Sequence, residues 1–318
     1  MGDLLFEPDG RTIWARQDKT SGGLCHRYDL ERGRPVPMPA GLPAPKCLPA
    51  LRDDGALFVL EPESQQEHTY RIWNLRTASP EGLPLTPPAD YVPLALAPGG
   101  RVVAFVSHSG KWLDTCSVQF WNRETGEPLG APVAQLEMVR AWAFSPDGLV
   151  FASSGRDREV RFWDVATSRP LGSSLVHEDH VMDIAFSSEG RTLFSGSWDC
   201  SARLWRLGVF SPLPPPRSTA LASIEGKYPH VFRRSPFSRA LFGPERRSVL
   251  LRAGADWLFD PRTIPPAEDH GLCRLVDVAS AIPRGPSLGP RNRYVGSIAM
   301  SPDGSLAASC TSQNSNST

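Results

Sequence analysis

Apolar residues in this chain come in short runs, not at helical spacing. Val181 to Phe186, VMDIAF, is one such run and reads as a strand covered on both faces. SSEG follows it, and Gly190 supplies the positive φ that a tight turn needs. Thr192 to Ser197 reads as the next strand and WDC as a second turn. Ser201 to Leu207, where polar and apolar residues alternate, reads as a third strand. An outer, fourth strand is expected at Pro170 to His177 for the unit before. No segment carries a long helical period.

The unit recurs. FSPDG from Phe144 is followed nineteen residues on by Trp163 in VRFWDV; FSSEG from Phe186 is followed at the same distance by Trp205 in ARLWRL. Both markers advance by 42. Weaker copies are FEPDG at Phe6, LRDDG at Leu51, LAPGG at Leu96, LFGPE around Phe242 and MSPDG at Met300, giving steps of 45, 45, 48, 42, 56 and 58. The second marker keeps phase at Tyr28, Trp73, Trp121, Trp163, Trp205 and Val276. A hairpin unit of four strands cannot hide both its faces alone, so a repeat of this period predicts sheets stacked about an axis as propeller blades. The expectation is a single all-β domain over residues 1–310, a β-propeller of about seven blades, six full and the last with two strands. The repeats fall near 3–47, 48–91, 92–137, 138–180, 181–216, 217–293 and, in part, 294–310; residues 311–318 are expected to be a disordered tail.

Charge narrows the partners. Lys plus Arg and Asp plus Glu are 34 each, so no net field draws the chain to nucleic acid or to an anionic membrane, and the expected partner is a protein or peptide. The six cysteines include no CxxC pair and no metal-ligand spacing, which reads as free thiols in a reducing compartment with no metal and no cofactor. MGDLLFEPDG lacks the basic and apolar regions of a leader, Phe6 spoils a myristoylation pattern, and no apolar run approaches the roughly 18 residues of a membrane span. These features lead to the expectation of a cytoplasmic protein.

The stretch from about Thr125 to Leu207 carries TGEPLGAPV, AFSPDG, VRFWDVATSRPLG, HEDHV, AFSSEG, SGSWD and ARLWRL. It resembles WD-repeat β-propellers of the bacterial type found fused to kinase or ATPase signalling proteins. The likeness is specific there, moderate from Leu4 to Gln135 and poor from Gly208 to Arg293. It implies a non-catalytic scaffold or sensor module. It also implies a structural tetrad that ties strands within a unit: His177, Ser195 or Ser197, Asp199 and Trp205. The fourth unit keeps Ser153 or Ser154, Asp157 and Trp163, with Gln135 where His would stand.

No Walker loop, HRD…DFG set, GxSxG elbow or HExxH helix is present, so the chain is not expected to be an enzyme; a propeller hydrolase is the weakest reading. Because the seventh unit stops after two strands, a truncated piece of a larger WD-repeat signalling protein is the alternative reading. Contacts with a partner are expected at Arg156 and Trp198, beside the Asp turns, and at Arg140 and His180, near the starts of inner strands. Other features are an insertion at Asp256 to His270, the PLPPPR segment within 211–217 that fits an SH3-ligand pattern, the Arg233-Arg234-Ser235-Pro236 run, and a sequon at Asn316.

Overall fold

A computed structural model describes residues 4–7, 9–16, 25–37, 50–51, 57–62, 69–74, 77–108, 116–135, 139–199, 201–207, 219–223, 237–243, 248–253, 273–277, 284, 295–301 and 303–311. Every regular element among them is a strand. The first sheet holds β1 (Leu4–Phe6), β2 (Thr12–Arg16), β3 (Cys25–Asp29) and β4 (Arg34–Val36). The second holds β5 (Ala50–Leu51), β6 (Leu57–Pro62), β7 (Tyr70–Asn74) and β8 (Ser79–Leu85), and the third β9 (Tyr91–Leu96), β10 (Val102–His108), β11 (Cys116–Asn122) and β12 (Pro128–Gln135). The fourth is β13 (Val139–Phe144), β14 (Val150–Gly155), β15 (Glu159–Asp164) and β16 (Leu175–Val176). The fifth is β17 (Val181–Phe186), β18 (Thr192–Ser197), β19 (Ala202–Arg206) and β20 (Thr219–Ser223). A three-stranded sheet of β21 (Phe237–Phe242), β22 (Ser248–Ala253) and β23 (Cys273–Asp277) follows, then a pair, β24 (Val295–Met300) and β25 (Ala307–Thr311). All pairings are antiparallel between chain neighbours.

The hairpin chemistry explains why the anchor motif repeats. In FSPDG the Ser145 hydroxyl donates to Asp147 (2.5 Å) and accepts from the Val150 amide (2.9 Å). The Gly148 amide closes the turn on the Ser145 carbonyl at φ +71°, a value that suits glycine. Ser301 and Asp303 repeat the arrangement at the last hairpin, with the hydroxyl 2.6 Å from the carboxylate. Inner strands share a second device. β13, β17, β21 and β24 each carry one extra residue against their partner, at Arg140, Met182, Ser238 and Gly296. Such a bulge bends and twists the strand where it meets the loops.

Apolar faces meet sheet against sheet in chain order. Ile72 and Leu85 of the second sheet pack with Tyr91, Phe105 and Trp121 of the third. Val118 and Phe120 of the third pack with Phe151 and Trp163 of the fourth; Val160 and Phe162 of the fourth pack with Ile184, Leu193 and Trp205 of the fifth. Ala202 and Leu204 meet Val249, Leu251 and Val276 of the sixth, and Leu250 and Cys273 meet Ile298 of the seventh. Ala299 of the seventh then packs on Phe6 of the first. Small antiparallel sheets that pack in series from the second to the seventh, with the seventh also touching the first, are consistent with a β-propeller.

Several boundaries differ from the sequence reading. Thr219–Ser223 pairs with β19 as the outer strand of the fifth sheet, so that unit runs past residue 216. The outer strand of the fourth sheet is shorter than Pro170 to His177: Pro170 makes one bridge to Trp163, the chain kinks at Gly172, and only Leu175 and Val176 rejoin β15. A proline without an amide proton and a glycine at positive φ break the ladder there. Thr311, assigned to the tail, is the last residue of β25 and pairs with Val295. The 256–270 insertion, the 211–217 segment, the 233–236 run and the Asn316 sequon lie outside the described residues.

Phe120 is wholly buried, its ring 5.2 Å from that of Phe151 and 6.1 Å from that of Phe144 across the sheet interface. Phe120→Ala is expected to lower unfolding free energy by about 3–5 kcal/mol in urea titrations, while Leu149→Ala at an exposed position changes it by less than about 0.5 kcal/mol.

Candidate interaction face and the network beneath it

The fifth sheet contains a buried chain of polar side chains. Trp205 Nε1 donates to Ser195 Oγ (2.7 Å), and Ser195 Oγ lies 2.6 Å from His177 Nε2. His177 Nδ1 lies 3.0 Å from Asp199 Oδ2. Asp199 also accepts the amides of Glu178 (3.0 Å) and Ser201 (2.8 Å). With the carboxylate as final acceptor, the donors run one way, from indole to hydroxyl to imidazole to carboxylate. That order assigns the His177 proton to Nδ1.

The register places the members. Leu193 faces Trp205 across β18 and β19, so Ser195 falls two residues along on the same face. Of the two serines left open by the sequence, Ser195 meets Trp205 and His177. Ser197 serves the loop, donating to the Asp179 carbonyl (2.9 Å) and accepting the Asp199 amide (3.1 Å). Ser201, absent from the sequence reading, joins as a further member, its hydroxyl 3.2 Å from His177 Nδ1. Its place two residues after the Asp, as in an Asx turn, was the available signal. Burial would push the Asp199 carboxyl up, but hydrogen bonds from His177, Ser201 and the Glu178 amide outweigh it and hold the group well below the ordinary carboxylate range.

The fourth sheet keeps part of this. Trp163 Nε1 donates to Ser153 Oγ (2.8 Å), not to Ser154, and Asp157 instead pairs with Arg161. In the third sheet Phe105 occupies the serine position, and Trp121 packs edge-on against it at 6.2 Å. In the first sheet Arg27 reaches Glu7 through two hydrogen bonds and stacks over Trp14.

The arrangement His177–Asp199–Ser195 has the residue types of a nucleophilic triad, but Ser195 and His177 are sealed from solvent and the serine oxygen is held by an indole. Among the described residues no group of three His, Cys, Asp or Glu stands close enough to hold a metal ion.

Three of the four expected contact residues meet at one end of the sheets. His180 Nδ1 donates to the Arg156 carbonyl (2.9 Å). The His180 and Trp198 rings lie 5.3 Å apart, and the Trp198 amide donates to the His180 carbonyl (2.9 Å). The link joins the inner turn of the fourth sheet to that of the fifth. Arg140 is the bulge residue next to the Val139–Gly155 pair, so its backbone shares that end. The tetrad sits directly behind: Asp199 follows Trp198, and its hold on the Glu178 amide fixes the loop that carries His180.

The fold and this network define an all-β repeat protein with polar ties inside individual sheets. The WD domain, G-beta repeat family model matches residues 130–164 and 169–206, which supports a WD-repeat family for the chain. Each match begins near the outer strand of one sheet and ends on the third strand of the next. No curated protein matches the chain.

Ser195→Ala leaves His177 Nε2 and the Trp205 indole unpaired in the core and is expected to cost roughly 1–3 kcal/mol for each group, read as a lower thermal midpoint. A depressed carboxyl gives stability that is present above the unfolded-state value, near 3.9, and lost as pH falls below it. Asp199→Asn is therefore expected to flatten the fall in stability below about pH 4 relative to the parent chain, in denaturant titrations across that range.

Proposed function

We propose that the chain is a non-catalytic protein-interaction scaffold, its seven sheets forming the blades of a propeller, with the Arg140, Arg156, His180 and Trp198 end as the docking face. WD repeats commonly mediate protein–protein interaction. The observation that carries the choice of face is the His180 bridge, which ties the Arg156 turn to the Trp198 turn and fixes an aromatic pair between two sheets. A prearranged aromatic pair costs little ordering entropy on binding and suits a contact hot spot. The neighbouring Glu178 and Asp179 leave the rim of mixed charge, which favours a folded or peptide partner over a polyanion. A partner that binds both faces of the His180–Trp198 pair would use two repeats at once. A reducing, cytoplasmic setting fits the buried residues Cys116 and Cys273, which form no disulfide among the described residues.

Affinity capture from the native host, with the parent chain and with Trp198→Ala and Arg156→Ala, tests the face. The expected outcome is a partner retained by the parent and lost, tenfold or more, by both variants at unchanged melting temperature. Full retention by both would reject this face.

A further inference from the structure

Three outer strands carry the same short motif. Pro80-Glu81-Gly82, Pro128-Leu129-Gly130 and Pro170-Leu171-Gly172 each place glycine nine residues after the tryptophan of the third strand, Trp73, Trp121 and Trp163. In all three the proline pairs with that tryptophan. The glycine takes φ of +78°, +63° and +62°, in the left-handed region. Beyond it the outer strand makes a detour. Tyr70 and Ile72 pair with Leu85 and Glu81, and Val118 and Phe120 with Val133 and Leu129, so the outer strand advances four residues for two of its partner. The fourth sheet repeats this: Val160 pairs with Leu175, and the Phe162 carbonyl accepts the Leu171 amide. A bulge that recurs at one place in three sheets has a role in the fold.

The detour ends on the next sheet. From the second sheet the Leu83 amide donates to the Arg123 carbonyl (2.9 Å), and Glu81 accepts from the Arg123 guanidinium (3.2 Å). Arg123 opens the turn between β11 and β12. From the third sheet the Leu129 carbonyl accepts the Ser168 hydroxyl (2.7 Å), which belongs to the turn between β15 and β16. The approach leaves no room for a side chain. A methyl group on Gly82 would lie 2.7 Å from the Arg123 carbonyl oxygen, and one on Gly130 would lie 2.7 Å from that of Thr167. Both obstacles are backbone atoms, which cannot swing aside as a side chain can. In the first sheet Pro37 stands nine residues after Tyr28, and its ring confines φ to about −65°, so the motif is absent there.

We propose that these bulges are latches that couple neighbouring sheets at the outer rim, so that local opening of one outer strand releases the turn of the next sheet. Apolar burial holds the sheets together further in, but it is non-directional and does not fix the rim. Hydrogen bonds to and from a glycine bulge are directional, and they are lost together once the outer strand peels away. The latch joins the second sheet to the third and the third to the fourth. It does not depend on the docking role of the Arg156 and Trp198 end.

Amide hydrogen exchange of the intact chain, followed by two-dimensional NMR, tests the coupling. Gly130→Ala alters only the third sheet. It is expected to speed exchange at least tenfold at the Asp164, Ser168 and Leu171 amides of the fourth sheet, relative to Ser248–Ala253 of the sixth sheet as the measure of global opening. Gly82→Ala is expected to do the same at the Asn122 and Gly126 amides of the third sheet. Gly99→Ala is the control: its φ is +82°, but nothing lies within 4 Å of an added methyl group, so it carries the backbone cost without the contact. It should leave the three fourth-sheet amides within twofold of the parent. Ser168→Ala removes one latch bond from the fourth-sheet side and is expected to speed exchange in Pro128–Gln135 at least threefold. This variant decides the matter if alanine at Gly82 or Gly130 prevents folding. Faster exchange confined to the sheet that carries the substitution, an equal spread from Gly99→Ala, or unchanged exchange in Pro128–Gln135 with Ser168→Ala overturns the proposal.

Discussion

From the second sheet to the seventh, neighbouring sheets bury apolar side chains against each other, and that burial is the interaction on which the rest depends. Phe120, Phe162 and Leu204 each belong to one sheet by hydrogen bonding and to the next by packing. Removing a large side chain from such a place takes away contacts on two sheets at once. The repeat also carries an outer strand of one sheet together with the first three of the next, so the chain itself staples each interface that the side chains fill.

Polar ties are the second layer, and they are uneven. The fifth sheet has the full run from Trp205 through Ser195 and His177 to Asp199; the fourth keeps only its indole–hydroxyl part; the third replaces the hydroxyl with the Phe105 ring. Since the packing is common to all three, the ties are not what makes a sheet. Where complete, they fix the loop ahead of an inner strand, because Asp199 holds the Glu178 amide and so the segment carrying His180. That is how a buried network shapes a surface: the docking face proposed for Arg156, His180 and Trp198 stands on a loop whose position is set from inside.

The same packing rule sets Tyr28 apart: it is 36 % exposed where Trp121, Trp163 and Trp205 are 7 %, 9 % and 8 % exposed.

How much of this was legible beforehand follows from which interactions are local. The turns were readable because the hairpin chemistry is local: FSPDG holds the serine cap, the aspartate and the glycine within five residues, and FSSEG keeps the serine and the glycine. The strands Val181–Phe186 and Thr192–Ser197 were readable from apolar runs bounded by those turns. The assignment of Ser195 over Ser197, and of Ser153 over Ser154, was not, since the first pair share a face and differ only in distance along the strand, the second pair differ in face, and only the antiparallel register says which hydroxyl stands beside the indole. Thr219–Ser223 was assigned to the wrong unit because the strand is held by pairing with β19 across a long connection that has no local signature. The sequence by itself determined an all-β chain of repeated hairpins, because turn chemistry and strand alternation are short-range. Only the tertiary structure decided which polar groups meet, that Arg156 and Trp198 share one end through His180, and that Tyr28 lies open, because each of these depends on how separate sheets stack in space.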